Sequence, residues 1–432
     1  MHSIAKVFTA FAVWFHHSTA YSQVGTDSIS SADTKRIINF LASDSLGGRG
    51  NFTPELTKAA NFIANEFSRY GLETFPGYNT FILPFVPDHG FNVQLSGNLN
   101  WNGRVLKKDV YDVLISAPDF TDKGLKEFRV VKLDNEVEDS ILFHVWQQKE
   151  NVLFWKPCKK DSCKPVFPKN VILPDGSPAG NIILSTEKDE PRDINYVLDK
   201  EYRDNVLVNV VGIIPGKSLS GEVVIFSAHY DHVGRSNETG GDNIYNGAND
   251  NASGTTAMLM LAKYYAMRND NERTLVFCAF AGEELGLFGS YAFVKLIKPE
   301  SVKAVINLEM LGRTTGNSFF LTGEKLSDLK KIFERNLKGG KFKISPEQGE
   351  NADMFNRSDN LPFALLGIPA HTITTSDDTD DVCYHKPCDD ARRILFENMT
   401  RVIKAISKAS ESIIMGKDTP SRINPKNIKG VF

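Results

Sequence analysis

The sequence contains no apolar run approaching the roughly 20 residues that a bilayer span requires, and it has no long basic stretch. The first absence excludes a membrane-spanning helix as its organising feature. The second, with a net charge of -3, argues against nucleic acid as a partner. No tandem repeat is visible. Cysteine is scarce, at five in 432 residues. Four of the five form two close pairs, Cys158/Cys163 in CKKDSC and Cys383/Cys388 in CYHKPC. Each pair could close a small disulfide loop in an oxidising compartment. Joint zinc binding by the pairs is the weaker alternative, because oxygen and imidazole ligands are available elsewhere. Cys278, inside TLVFCAF, reads as a buried apolar filler.

What is present is ordinary for a folded soluble protein: 41% hydrophobic and 24% charged residues. The length suits one large domain with an insertion, or two domains. Lys6 precedes an apolar run from Val7 to Phe15, and Ala20-Tyr21-Ser22 supplies small residues before Gln23. Residues 1–22 are therefore expected to be a cleaved signal peptide, making the protein exported, periplasmic or extracellular.

Two helices are expected around the turn Ser45-Leu46-Gly47-Gly48-Arg49-Gly50. The second, Pro54 to Tyr70, carries Leu56, Ala60, Phe62, Ile63 and Phe67 at helical spacing and stops at Gly71. From about Glu73 to Asp204 short runs such as VYDVLIS, FRVVKL, NVLFW and NIILS alternate with turn residues, so a β-rich segment is expected. Asn100-Trp101-Asn102-Gly103 is a hairpin turn candidate. His89 and His144 are expected to be surface or sheet residues, and Trp101, Trp146 and Trp155 sheet packing. From Val206 onward strands and helices alternate, which indicates a mixed, mostly parallel central sheet flanked by helices. The 416–432 tail is polar and expected to fray.

Chemistry gathers at strand ends. EVVIFSA ends in His229 and Asp231, TLVFCAF is followed by Glu283-Glu284, and VKAVIN runs into Glu309. Ligands of open α/β sheets bind outside the carboxyl ends of the strands, so these groups converge on one edge. Asp250 arrives from the loop NGANDNASG, and His385, in DVCYHKP, is the candidate for a last ligand. Two imidazoles and three carboxylates suit two zinc ions sharing a bridging carboxylate, with one of the adjacent glutamates left over as general base. Asp231 suits a partner for the other ring nitrogen of His229. His232, just after the metal motif, is expected either to support the ligands from outside or merely to lie nearby. His371, in an apolar strand, reads as a core histidine. Asn251 heads a glycosylation sequon whose place in the metal loop speaks against modification.

The segments AHYDHVG, NGANDNASG, FAGEELGLFGS, NLEMLG, RSDNLPFALLGIPA and YHKPCD together resemble the exported zinc aminopeptidases of metallopeptidase family twenty-eight. Relatives there include glutamate carboxypeptidase and the glutaminyl cyclases. The resemblance covers about 31–72 and 206–409. It implies a zinc aminopeptidase/phosphorylase-like fold with a peptidase domain over 23–72 and 206–415 and an insertion over 73–205. By that resemblance His229 and Glu309 would hold one zinc, Glu284 and His385 the other, and Asp250 would bridge them. Glu283 would be the general base toward a metal-bridging water, and Asp231 would orient His229. Peptides would be the substrates. Many members have aspartate at the Glu309 position and histidine at the Asn360 position. Two other uses of the scaffold stand beside this one. One is single-zinc glutaminyl cyclase chemistry on Asp250, Glu284 and His385. The other is an inactive binding module.

Overall fold

The computed structural model describes residues 28–87, 93–106, 111–115, 123–124, 129–132, 152–155, 181–202, 206–236, 241–347, 354–376 and 381–428. The expected signal peptide, His89, His144, Trp146 and the Cys158/Cys163 pair lie outside them.

A mixed nine-stranded sheet forms the centre. Its four middle strands, Arg273–Phe280, Leu219–His229, Val302–Glu309 and Ala370–Thr374, run parallel in that spatial order. Antiparallel strands close both sides: Leu207–Ile214 beside Arg273–Phe280, and Ser318–Leu321 beside Ala370–Thr374. Alternation along each strand sends side chains to two separate cores. Val224, Phe226 and Ala228 face one, and Ile225 faces the other.

The first core is covered by helices Ser31–Leu41, Pro54–Tyr70, Gly254–Arg268, Leu329–Leu337 and Phe396–Ile414. Gly254–Arg268 is apolar nearly all round, with every residue from Gly254 to Ala262 buried, as expected of a helix between a sheet and other helices. Pro54–Tyr70 follows its sequence signals closely. Thr53 caps it by accepting from the Leu56 N–H, Pro54 opens it, and Gly71 ends it in the left-handed conformation (φ 77°). The second core is covered by Phe288–Val294, Met354–Arg357 and Leu361–Leu365.

The β-rich stretch divides. Glu73–Thr74 and Ile82–Phe85 pair with Leu207–Ile214 and so belong to the central sheet. The described strands between 93 and 202 form two four-stranded sheets of their own. Asn102 and Gly103 both take positive φ (51° and 80°) in the turn between Val93–Trp101 and Arg104–Val105, as a tight hairpin requires. Trp101 and Trp155 are buried and donate to Asp189 O and Glu187 O, so both are packing residues. The tail departs from the expected fraying as far as Ile428. Ile423 and Ile428 are buried in the second core, and the buried Arg273 donates to Asp418 O and Thr419 Oγ1. Two isolated apolar residues in a polar stretch give no periodic signal, yet they anchor it.

Gly254 sets how closely its helix approaches the sheet, because a Cβ there would lie 2.1 Å from Leu308 O. Gly254→Ala is expected to destabilise the protein by about 1–3 kcal/mol, measured by urea unfolding. An unchanged midpoint would mean the helix can retreat from Val302–Glu309 freely.

Candidate metal centre

Parallel register brings the strand ends level. Ser227 pairs with Asn307, so His229 and Glu309, two residues further along each strand, emerge side by side. His229 pairs with Phe280 on its other flank, which puts Glu283 and Glu284 just beyond the same edge. Asp250 comes from a buried segment, Ala248–Ser253, laced to both strand ends. Asn251 donates to Leu308 O and accepts from Met310 N–H, Ser253 Oγ accepts from Leu311 N–H, and Thr255 Oγ1 donates to His229 O. Asp389 accepts the N–H groups of Asn249 and Asp250, and Arg313 pairs with Asp389 and Asp381.

All five expected ligands meet. His229 Nε2 lies 2.9 Å from Glu309 Oε1 and 3.3 Å from Asp250 Oδ1. His385 Nε2 lies 3.0 Å from Asp250 Oδ2 and 3.1 Å from Glu284 Oε1. The two oxygens of Asp250 therefore face two different groups. His385 holds its position with a positive φ of 50° in a loop closed by a Cys383–Cys388 disulfide, its ring stacked on Tyr384.

Asp231 stands behind the cluster. Its carboxylate accepts from the Glu283 and Glu284 N–H groups and from Asn51 Nδ2, and lies 3.6 Å from His229 Nδ1. The other ring nitrogen of His229 is held from behind by the Asp231 backbone carbonyl at 3.2 Å, with the carboxylate just beyond, while Nε2 faces the acids. Glu283 lies 3.9 Å from His229 Nε2, in a cleft also lined by Met310, Met354, Arg357, Ser358 and Tyr384.

Of the two readings of His232, the structure favours the supporting one. Instead of lying merely nearby, it is fully buried with Nδ1 2.7 Å from Glu284 Oε1 and 3.7 Å from Asp250 Oδ2. His232, Asp250, Glu284 and His385 form one group able to hold a cation, and His229, Asp250 and Glu309 another. The position of His232 three residues after His229 did not decide between the readings, because the chain has left the strand by then. Asn51, Arg313, Asp381 and Asp389 went unnoticed, each being polar in a polar local context. Asn251 is fully buried. Asn360 is buried and bonded to Phe355 O and Thr372 Oγ1, a structural post. His371 is a core histidine, bonded to Thr322 O and Ser327 Oγ, and burial lowers its pKa to about 4.

The electrostatics suit cations. Burial pushes Glu283 well above the usual carboxylate range, with Glu309, Glu284 and Asp359 adding repulsion. Burial likewise works against charge on Asp250 and Glu284. The neighbouring imidazoles outweigh it, holding Asp250 well below its ordinary value and Glu284 at about 2. Burial opposes charge on the histidines, but Glu309 and Glu283 raise His229 well above its ordinary value. Asp250 and Glu284 raise His385 to about 10. Glu309 Oε2 is buried without a hydrogen-bond partner among the described residues. Buried carboxylates faced mainly by imidazoles, with one oxygen left over, fit divalent metal.

Known proteins share both sequence and fold with this chain. Residues 209–410 match the model of Peptidase family M28. This stretch is a Peptidase family M28 domain. Aminopeptidase YwaD of Bacillus subtilis is 27% identical over 232 residues, covering 52% of this chain and 48% of that protein. A probable zinc metalloprotease of Pyricularia oryzae is 32% identical over 164 residues, covering 37% of this chain and 30% of that one. The chain thus spans about half or less of the length of these curated relatives. The M28 domain's fold is also that of BSAP, a zinc aminopeptidase from Bacillus subtilis, at a TM-score of 0.57 and 18% identity over 93% of this chain and 97% of that one.

The acids that raise the His229 and His385 imidazoles make them hold protons that zinc binding would displace. A raised imidazole pKa is a proton held until the pH climbs toward it, so apparent zinc affinity should increase from about pH 6 to about pH 9 with net proton release. Calorimetry in buffers of different ionisation enthalpy measures this. Affinity independent of pH would contradict the protonation pattern.

Proposed function

We propose that the chain is an exported metallo-aminopeptidase that removes N-terminal residues from peptides with two zinc ions. The observation that carries this reading is the two-sided carboxylate of Asp250, with His229 and Glu309 on one side and Glu284 and His385 on the other. His229 and Glu309 would hold one ion, Glu284 and His385 the other, and Asp250 both. Bound zinc supplies polarisation of a carbonyl and acidification of a water. The likeness to the B. subtilis aminopeptidase and the probable zinc metalloprotease of P. oryzae supports zinc and peptide hydrolysis.

The remaining roles belong to this chain's own groups. Glu283 is the general base: it lines the cleft and burial raises its carboxyl above the usual carboxylate range. It takes a proton from the attacking water and returns it to the leaving amine. Asp231 keeps His229 oriented and fixes the Glu283-Glu284 backbone. Arg357 and Tyr384, joined by a 3.2 Å hydrogen bond, bring donors to the same cleft for the substrate carbonyl oxygen. The density of carboxylates favours a cationic α-amine, which restricts cleavage to chain ends. Glu309 reaches 2.9 Å from His229 despite its extra methylene, so it serves as a ligand where many relatives use aspartate. Export is supported by the 1–22 segment and by the Cys383–Cys388 bridge.

Glu283→Gln tests the reading. It should leave zinc content intact while cutting turnover of aminoacyl-anilides by a factor of about 10² or more. Retained turnover would remove Glu283 from the base role. A wild type that cyclises N-terminal glutamine but cleaves no anilide would replace peptidase by cyclase chemistry.

A further inference from the structure

The 47–51 segment lies outside the M28 match, yet it is built into the centre. Arg49 is fully buried and takes a positive φ of 49°. Its guanidinium bonds four backbone carbonyls: Nε to Tyr230 O at 2.8 Å, Nη1 to Leu41 O and Asn246 O at 2.6 and 2.7 Å, and Nη2 to Gly247 O at 2.9 Å. Tyr230 stands between His229 and Asp231, whereas Asn246 and Gly247 begin the turn that delivers Asp250. One planar cation thus ties the strand end carrying one set of ligands to the loop carrying the bridging carboxylate. Arg49 O accepts from the His232 N–H, and Asn51 Nδ2 donates to Asp231 Oδ2 at 2.7 Å. The approach is close. A Cβ on Gly48 would lie 2.3 Å from Gly234 O and 2.4 Å from Tyr245 O, and its φ of 73° already suits glycine.

We propose that Arg49 and Asn51 are positioning residues of the metal centre: Arg49 fixes the Tyr230 and 246–247 backbones relative to each other, and Asn51 fixes the Asp231 carboxylate, which lies 3.6 Å behind the His229 ring and holds the Glu283 and Glu284 N–H groups. Arginine suits the first task because its rigid fork reaches several acceptors at once, while lysine offers a single compact ammonium. Its charge also lies near Asp250, Asp389, Asp231 and Glu284, so it lowers the cost of keeping those acids together. Asn51 suits the second because an amide N–H holds Asp231 without competing for its charge. The N-terminal helical segment is therefore part of the metal-binding apparatus as well as a cover for the first core. This inference rests on the metal reading above, but not on the identity of the substrate.

The test compares zinc affinity of the full chain, by competition with a chromophoric chelator, for wild type, Asn51→Ala and Arg49→Lys. Melting of the metal-free proteins and absorption spectra of the cobalt forms accompany it. Asn51→Ala should melt like wild type without metal, bind zinc about 10-fold or more weakly, and shift the cobalt spectrum. Arg49→Lys should weaken zinc at least as much per folded chain, although charge is kept. Zinc affinity within about two-fold of wild type and an unchanged cobalt spectrum in Asn51→Ala would overturn the proposal, whatever happens to the folding of Arg49→Lys. If the wild type binds zinc but hydrolyses no aminoacyl substrate, the peptidase reading fails while these affinities still decide this one. A wild type that binds no zinc overturns both.

Discussion

Everything in this fold turns on keeping several carboxylates together where water is scarce. Asp231, Asp250 and Glu309 are buried, and Glu283 and Glu284 nearly so, all at one sheet edge. Like charges packed in a low dielectric repel strongly, and an unpaired buried charge costs several kcal/mol. Three imidazoles and Arg49 offset part of that cost. The chain therefore needs rigid placement of each acid, and divalent cations are the natural complement.

Rigidity comes from an unusual density of backbone contacts. The Ala248–Ser253 segment is bonded to Leu308, Met310, Leu311 and Asp389, so Asp250 is held from both flanks. The His385 loop is closed covalently, and its flanking Asp381 and Asp389, both paired with Arg313, accept from Asn249 and Asp250 in the Asp250 segment. Parallel strands supply the remaining precision, because a residue at the end of one is level with residues at the ends of its neighbours. This is why groups from 229 to 385 can share one cleft.

Much of this was legible in the sequence, and the reason is local. The Pro54–Tyr70 helix, the parallel centre and the strand-end acids all announce themselves through periodicity or capping within a few residues. What escaped depends on partners far along the chain. Nothing near Arg49 hints at Tyr230 or Gly247, roughly 180 and 198 positions away. Ile423 and Ile428 look like a polar tail until Ile368 and Ala370 are found beside them. Glu73–Thr74 and Ile82–Phe85 resemble the β-rich stretch that follows, and only their pairing with Leu207–Ile214 assigns them to the central sheet. His232 was left between two readings because it sits past the strand, where alternation no longer tells which way a side chain points.

The most direct test of the central claim is anomalous diffraction at the zinc edge from crystals of the zinc-loaded protein. The account predicts two peaks, one on each side of the Asp250 carboxylate, with His229 and Glu309 at the first and Glu284 and His385 at the second. A single peak, or none near Asp250, would contradict it.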